Sequence, residues 1–168
     1  KKMLKRGVNV NAQDKTKNTA LIWACKYAHS DVALALLERK DVKVDLKNIN
    51  GETALHSASF CGLSKVVLRL ILKDADVNVQ DKHGTTALIQ ACRMKHTDTA
   101  LLLLDADGIK MDLKDNLGHT AKDWAFENKM PEVLNHIREL EVTHASEDTS
   151  QMEVDVVPDD ARRTRQRI

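Results

Sequence analysis

The chain has 168 residues, 42% hydrophobic and 30% charged, a mix that a single foldable domain needs. Its net charge is +1 with acids and bases interspersed, which gives no general pull toward nucleic acid or an anionic membrane. No apolar run reaches the roughly 20 residues of a membrane helix, and two Trp, one Tyr and two Phe leave few rings for a cofactor pocket.

The first segment, KKMLKRGVNVNAQ (1–13), lacks the apolar stretch of a secretory signal. A tip, Asp14–Asn18, then leads to Thr19 and the helix-forming run ALIWACK, and the apolar run DVALALLERK follows. The same order returns three times. The tips are DKTKN, NINGE, DKHGT and DNLGH, and the threonines are Thr19, Thr53, Thr86 and Thr120, spaced by 34, 33 and 34 residues. After each comes a short first helix with a small residue at a fixed place: Ala24, Ala58, Ala91 and Ala125. A second apolar run closes each unit: DVALALLERK, SKVVLRLILK, TDTALLLLDA and PEVLNHIREL. Each Thr can cap the helix after it by accepting from a free N–H of its first turn. Gly51, Gly84 and Gly118 stand where a tight turn needs positive φ. Val32, Leu36 and Leu37, then Val66, Leu70 and Ile71, then Leu103 and Leu104 form the second-helix stripes. No unit can bury such a stripe alone, so the units must stack.

These residues resemble the ankyrin repeat, with its Asp-x-x-Gly-x-Thr-Pro-Leu-His-x-Ala start, its Val-x-x-Leu-Leu second helix and its Gly-Ala-Asp-Val-Asn joint. The resemblance covers residues 1–140. It implies an all-α solenoid of helix–turn–helix units with β-hairpin loops. Four full repeats are expected, at about 14–47, 48–80, 81–114 and 115–141. The end of another repeat precedes them at 1–13, carried by Leu4, Gly7, Val8, Asn9, Val10 and Asn11.

The chain departs from that pattern in several places. Ala20, Ala54, Ala87 and Ala121 replace the first-turn proline, and alanine sustains the helix. Lys17 stands where the turn glycine belongs, so that turn is expected to be strained or rearranged. Only His56 keeps the family histidine, which leaves a Thr–His ladder mostly absent. The joints ERKDVKVDLK and DADGIKMDLK are one residue longer than the middle one. Lys122 in place of the core leucine, with Asp123, Arg138 and Glu139, reads as a polar cap. Phe126 falls at a packing position and is expected in the core. Residues 142–168 read as a disordered tail, acidic and then basic, with Arg162, Arg163, Arg165 and Arg167 as a basic patch and Met152–Val157 as a short strand among the alternatives.

Cys25, Cys61 and Cys92 are odd in number and lack CxxC spacing, so neither a disulfide scaffold nor a zinc site is expected. With no Asn-x-Ser/Thr signal, this favours an intracellular, reducing compartment, cytoplasmic or nuclear. No nucleophile–base–orienter set, phosphate loop or metal box occurs, so no enzyme activity, cofactor or metal is expected. The resemblance instead implies a protein-interaction module, expected to be monomeric, that binds a protein or peptide through its tips and the concave face of its first helices. The candidate contacts are Trp23, Lys26, Tyr27, Asn50, Glu52, Phe60, Lys82, His83, Arg93, Met94, Leu117 and His119. A methyl-lysine reader or an oligonucleotide binder using the concave rings is a lesser alternative, as is a targeting arm or spacer of a larger, possibly enzymatic, chain.

Overall fold

The computed structural model describes residues 8–152, with side chains through residue 143. Among these, eight helices form four antiparallel pairs. They are α1 (Ala20–Lys26) with α2 (Ser30–Leu37), α3 (Ala54–Phe60) with α4 (Ser64–Ile71), α5 (Ala87–Arg93) with α6 (Thr97–Leu104), and α7 (Ala121–Glu127) with α8 (Pro131–Met152). The first helices pack in a row, α1 on α3 on α5 on α7, and the second helices form a parallel row behind them. The helices other than α8 have seven or eight residues. That is too short to persist in water alone, so burial between neighbours holds them.

The caps are local chemistry repeated. The Thr19, Thr86 and Thr120 hydroxyls accept from the N–H groups of Ile22, Ile89 and Asp123. Thr120 adds a reciprocal bond, its N–H donating to Asp123 Oδ2 at 2.8 Å. Leu21, Leu55 and Leu88 then enter the core at 1% exposure. Ala24, Ala58, Ala91 and Ala125 are buried between the rows, where a larger side chain would hold the helices apart.

The residue six places after each threonine decides how neighbouring pairs meet. Cys25, Ser59 and Cys92 are fully buried there. Phe126, the fourth member, is 75% exposed and is not a core residue. The first three positions are covered by the next inner helix, and no helix of the described residues lies beyond α7 and α8. Val32 departs from its predicted stripe for a similar reason at the other end. Its equivalent Thr99 is buried against α4, where its hydroxyl meets Ser64 Oγ at 3.0 Å, whereas no helix of the described residues covers Val32 on that side and it is 53% exposed. Ala33 takes the inward place instead.

Each tip is a closed loop, not a pair of strands; the only bridge among the described residues joins Gln13 and Thr19. In all four, the first residue uses its side chain to tie the loop. Asp14, Asn48, Asp81 and Asp115 each accept, through Oδ1, the N–H groups two and four residues ahead. This explains the first tip. Lys17 adopts φ 59°, the left-handed conformation that Gly51, Gly84 and Gly118 hold at their tips. The turn is therefore strained and not rearranged, because Asp14 holds it in the same geometry.

The longer joints have a common clamp. Asn11 donates to Asp41 C=O and accepts from Lys43 N–H. One period of two repeats later, Asn78 donates to Gly108 C=O and accepts from Lys110 N–H. Each extra residue is thus tied to the repeat before it. At the far end, Lys122 places its ammonium 2.7 Å from Glu141 Oε1, which suits a polar closing repeat. The tail does not begin at residue 142 as expected: α8 continues to Met152, since no proline or glycine follows Pro131 within it. The Arg162–Arg167 patch, most of the Met152–Val157 segment, and Leu4 and Gly7 lie outside the described residues.

Candidate partner-binding face

The inner helices end in exposed side chains, Tyr27 and Met94 eight residues after their threonines and Phe60 seven residues after Thr53. Tyr27 is 63% exposed, Phe60 45% and Met94 38%, one from each of the first three helix pairs. Three large apolar groups left in water on successive units are a departure from what burial alone would select.

The N-terminal part of this face is aromatic. Tyr27 stacks on Trp23 with centroids 5.5 Å apart and planes 11° from parallel, and the Lys26 ammonium lies 5.5 Å from the Trp23 centroid. Trp23 is half-buried and its indole N–H donates to Asp14 Oδ2 at 2.7 Å. The hydrogen bond from Thr16, together with those from the Trp23 indole and backbone N–H groups, holds the Asp14 carboxyl below its ordinary value.

The C-terminal part repeats the device. The Trp124 indole donates to Asp115 Oδ2 at 2.8 Å, again across nine residues. Burial pushes the Asp115 carboxyl up, but this bond and the N–H groups of His119 and Leu117 bring it below its usual value. The predicted contacts Arg93 and His119 both gather on Trp124. The guanidinium sits 5.7 Å from the ring centroid and the imidazole meets the ring edge-on at 5.1 Å.

Between these two ends, a hollow of about 160 Å³ is lined by Lys26, Glu52, His56, Ser57, Phe60, Asp81 and Gln90. His56 is committed within the scaffold. Its Nδ1 accepts from Thr53 N–H at 3.2 Å, and its Nε2–H donates to Thr85 C=O at 3.0 Å, tying the second repeat to the third. Burial depresses its basicity, so the ring is held neutral.

The tips form a continuous edge above this face. Ile49 N–H donates to Thr16 C=O, Lys82 N–H to Asn50 C=O, and Asn116 N–H to His83 C=O, at 2.8–3.0 Å. Asn50, Lys82, His83 and Leu117 are exposed along that edge, Leu117 at 72%. The structure therefore groups the sequence candidates into three sets: Trp23, Lys26 and Tyr27; Lys26, Glu52 and Phe60; Arg93 and His119. Met94 and Leu117 stand apart from these sets. Asp81 belongs to the face although it is not among the sequence candidates, and Trp124, which alignment of the repeats places on this side, joins the Arg93 and His119 set. The nine-residue Asp-to-Trp interval, present twice, was the available signal for the indole–carboxylate bonds.

Cys25 and Cys92 are free and buried, and burial pushes both thiols up to about 12. Cys61 is half-buried on the inner row and its Sγ lies 3.6 Å from Lys26 C=O. It is less enclosed than Cys25 and Cys92. Among the described residues, no group of three His, Cys, Asp or Glu side chains is placed to hold a metal ion, and no helix is long and apolar enough to cross a membrane.

A family model described as ankyrin repeats (3 copies) matches residues 1–81 and again 64–146. The chain is similar to neurogenic locus notch homolog protein 2 of Homo sapiens, 32% identical over 116 residues, which is 69% of this chain and 5% of that protein. It is also similar to neurogenic locus notch homolog protein 1 of Mus musculus, 34% identical over 118 residues, covering 68% of this chain and 4% of that protein. The chain thus spans only about a twentieth of the length of these relatives.

Proposed function

The chain belongs to the ankyrin-repeat family, and from that premise we propose that its concave face binds a partner protein or peptide. Ankyrin repeats are generally protein–protein interaction modules. The observation that carries the reading to this face is the exposed row Tyr27, Phe60 and Met94, set between the two Trp-centred clusters.

The physical case is one of preorganisation. Rings fixed by stacking and by indole–carboxylate bonds lose little freedom when a partner lands on them. Aromatic side chains and Arg are the groups that most often dominate protein interfaces. The tips, joined by backbone hydrogen bonds, supply a polar edge around the apolar row. Binding, not turnover, is the activity proposed for these residues.

The test is affinity capture from cell lysate followed by mass spectrometry. It compares the full chain with a Tyr27→Ala/Met94→Ala variant whose fold is verified by circular dichroism. Both positions are exposed, so folding should survive. The reading expects a protein retained by the first and lost by the second. Equal capture by both would place binding elsewhere on the molecule.

A further inference from the structure

The central hollow has a chemistry of its own, and it gives the concave-face reading a partner class on which that reading does not depend. Its lining carries acceptor atoms that no described residue satisfies. Glu52 Oε2 takes one bond from Asn48, and its other oxygen has no partner among the described residues. Asp81 uses Oδ1 to tie its tip, which leaves Oδ2 free. Ser57 and Gln90 line the same hollow, and among the described residues neither the Ser57 hydroxyl nor the Gln90 amide has a hydrogen-bond partner.

The charges point the same way. Neither Glu52 nor Asp81 forms an ion pair among the described residues. His56 is spent on Thr53 and Thr85. Among the described residues lining the hollow, Lys26 is the one Lys or Arg, and its ammonium is drawn over Trp23 instead of pairing with either carboxylate. Phe60 adds a flat, half-exposed wall. Two unpaired carboxylates on adjacent repeats, a free hydroxyl, an amide oxygen and an aromatic face match a planar group with several donors. A guanidinium has five N–H donors in a rigid fork and stacks on aromatic rings; an ammonium is a compact point charge.

We propose that the hollow between α3 and α5 takes an arginine side chain of the bound protein or peptide. Its guanidinium lies on Phe60 and donates to Glu52, Asp81, Ser57 and Gln90.

The experiment is a two-dimensional amide NMR titration of the full chain with acetyl-Gly-Arg-Gly-amide, and with the Lys and Glu analogues at equal concentration. Binding on the order of millimolar is expected for so small a probe. The proposal predicts shifts at Ser57, Phe60 and Gln90, larger for Arg than for Lys and absent for Glu. Glu52→Gln keeps the Asn48 bond but removes a charge, and should weaken the Arg peptide about two- to fivefold. Lys26→Ala removes the competing cation and should strengthen it by a similar factor. Shifts from the Glu peptide, equal response to Lys, no response at these residues, or indifference to both variants would each overturn the proposal. Tyr27 and Met94 do not line the hollow. Partner loss in the Tyr27→Ala/Met94→Ala variant therefore keeps the concave-face reading alive even if the arginine assignment fails.

Discussion

Single side chains here do the same job again and again, and the exceptions are informative. The Asp or Asn that opens each tip accepts the same two N–H groups in all four repeats. That role was legible in principle, since DKTKN, NINGE, DKHGT and DNLGH all begin with a residue able to make such a turn. His56 breaks the pattern as a buried histidine that bonds the next repeat, and it yields a pH prediction. Burial lowers its folded-state basicity below the ordinary 6.5, so the unfolded chain takes up the proton first. Stability from this residue is complete above pH 6.5 and declines as pH falls toward its lower folded value. Thermal unfolding of the native chain should therefore drop further between pH 7 and pH 5 than that of His56→Gln. An identical drop for the two would show that His56 is not held neutral.

Short helices depend on their turns, and two turns can be tested from opposite directions. Lys17 holds φ 59° where the other tips have glycine. Lys17→Gly removes the left-handed strain of about 1–2 kcal/mol but frees the unfolded chain, for a net gain of about 0.5–1 kcal/mol. Gly62 sits at φ 65° in the turn between α3 and α4, and a Cβ there would lie 2.5 Å from His96 Nδ1. The His96 ring is held by its 3.0 Å contact with Phe60 C=O. Gly62→Ala should therefore destabilise the protein and break that contact. Chemical denaturation of both variants checks the signs, and a stabilised Gly62→Ala would contradict the account. The helix pairs were readable from spacing alone because each threonine, small residue and apolar run recurs in register. The end of α8 was not, since a polar run with good helix formers reads as easily as a solvated tail.

Across the whole molecule, stability comes from neighbours, so a residue's fate depends on whether another repeat covers it. Leu88 lies between two flanking repeats at 1% exposure, whereas Phe126 shares a register with buried Cys25, Ser59 and Cys92 yet is 75% exposed. Leu88→Ala should cost about 2–5 kcal/mol through lost burial and a cavity. Phe126→Ser should stay within about 0.5 kcal/mol of the parent. Equal losses measured in urea would mean that α7 is covered in solution. The same logic limits what the sequence revealed of the site. Tyr27 and Met94 were readable from register as equivalent positions eight residues after their threonines, with Phe60 one place earlier in its own repeat. The hollow was not, because Lys26, Glu52, Asp81 and Gln90 come from three different repeats and meet only after stacking. The most direct test of the central claim is site-specific photo-crosslinking in cells. A crosslinking phenylalanine analogue is placed either at position 60 on the inner row or at position 72 at the end of α4, where Leu72 is 65% exposed on the outer row. The account predicts a discrete partner adduct from position 60 and none from position 72. An adduct from position 72 alone would contradict it and move the binding surface to the outer helices.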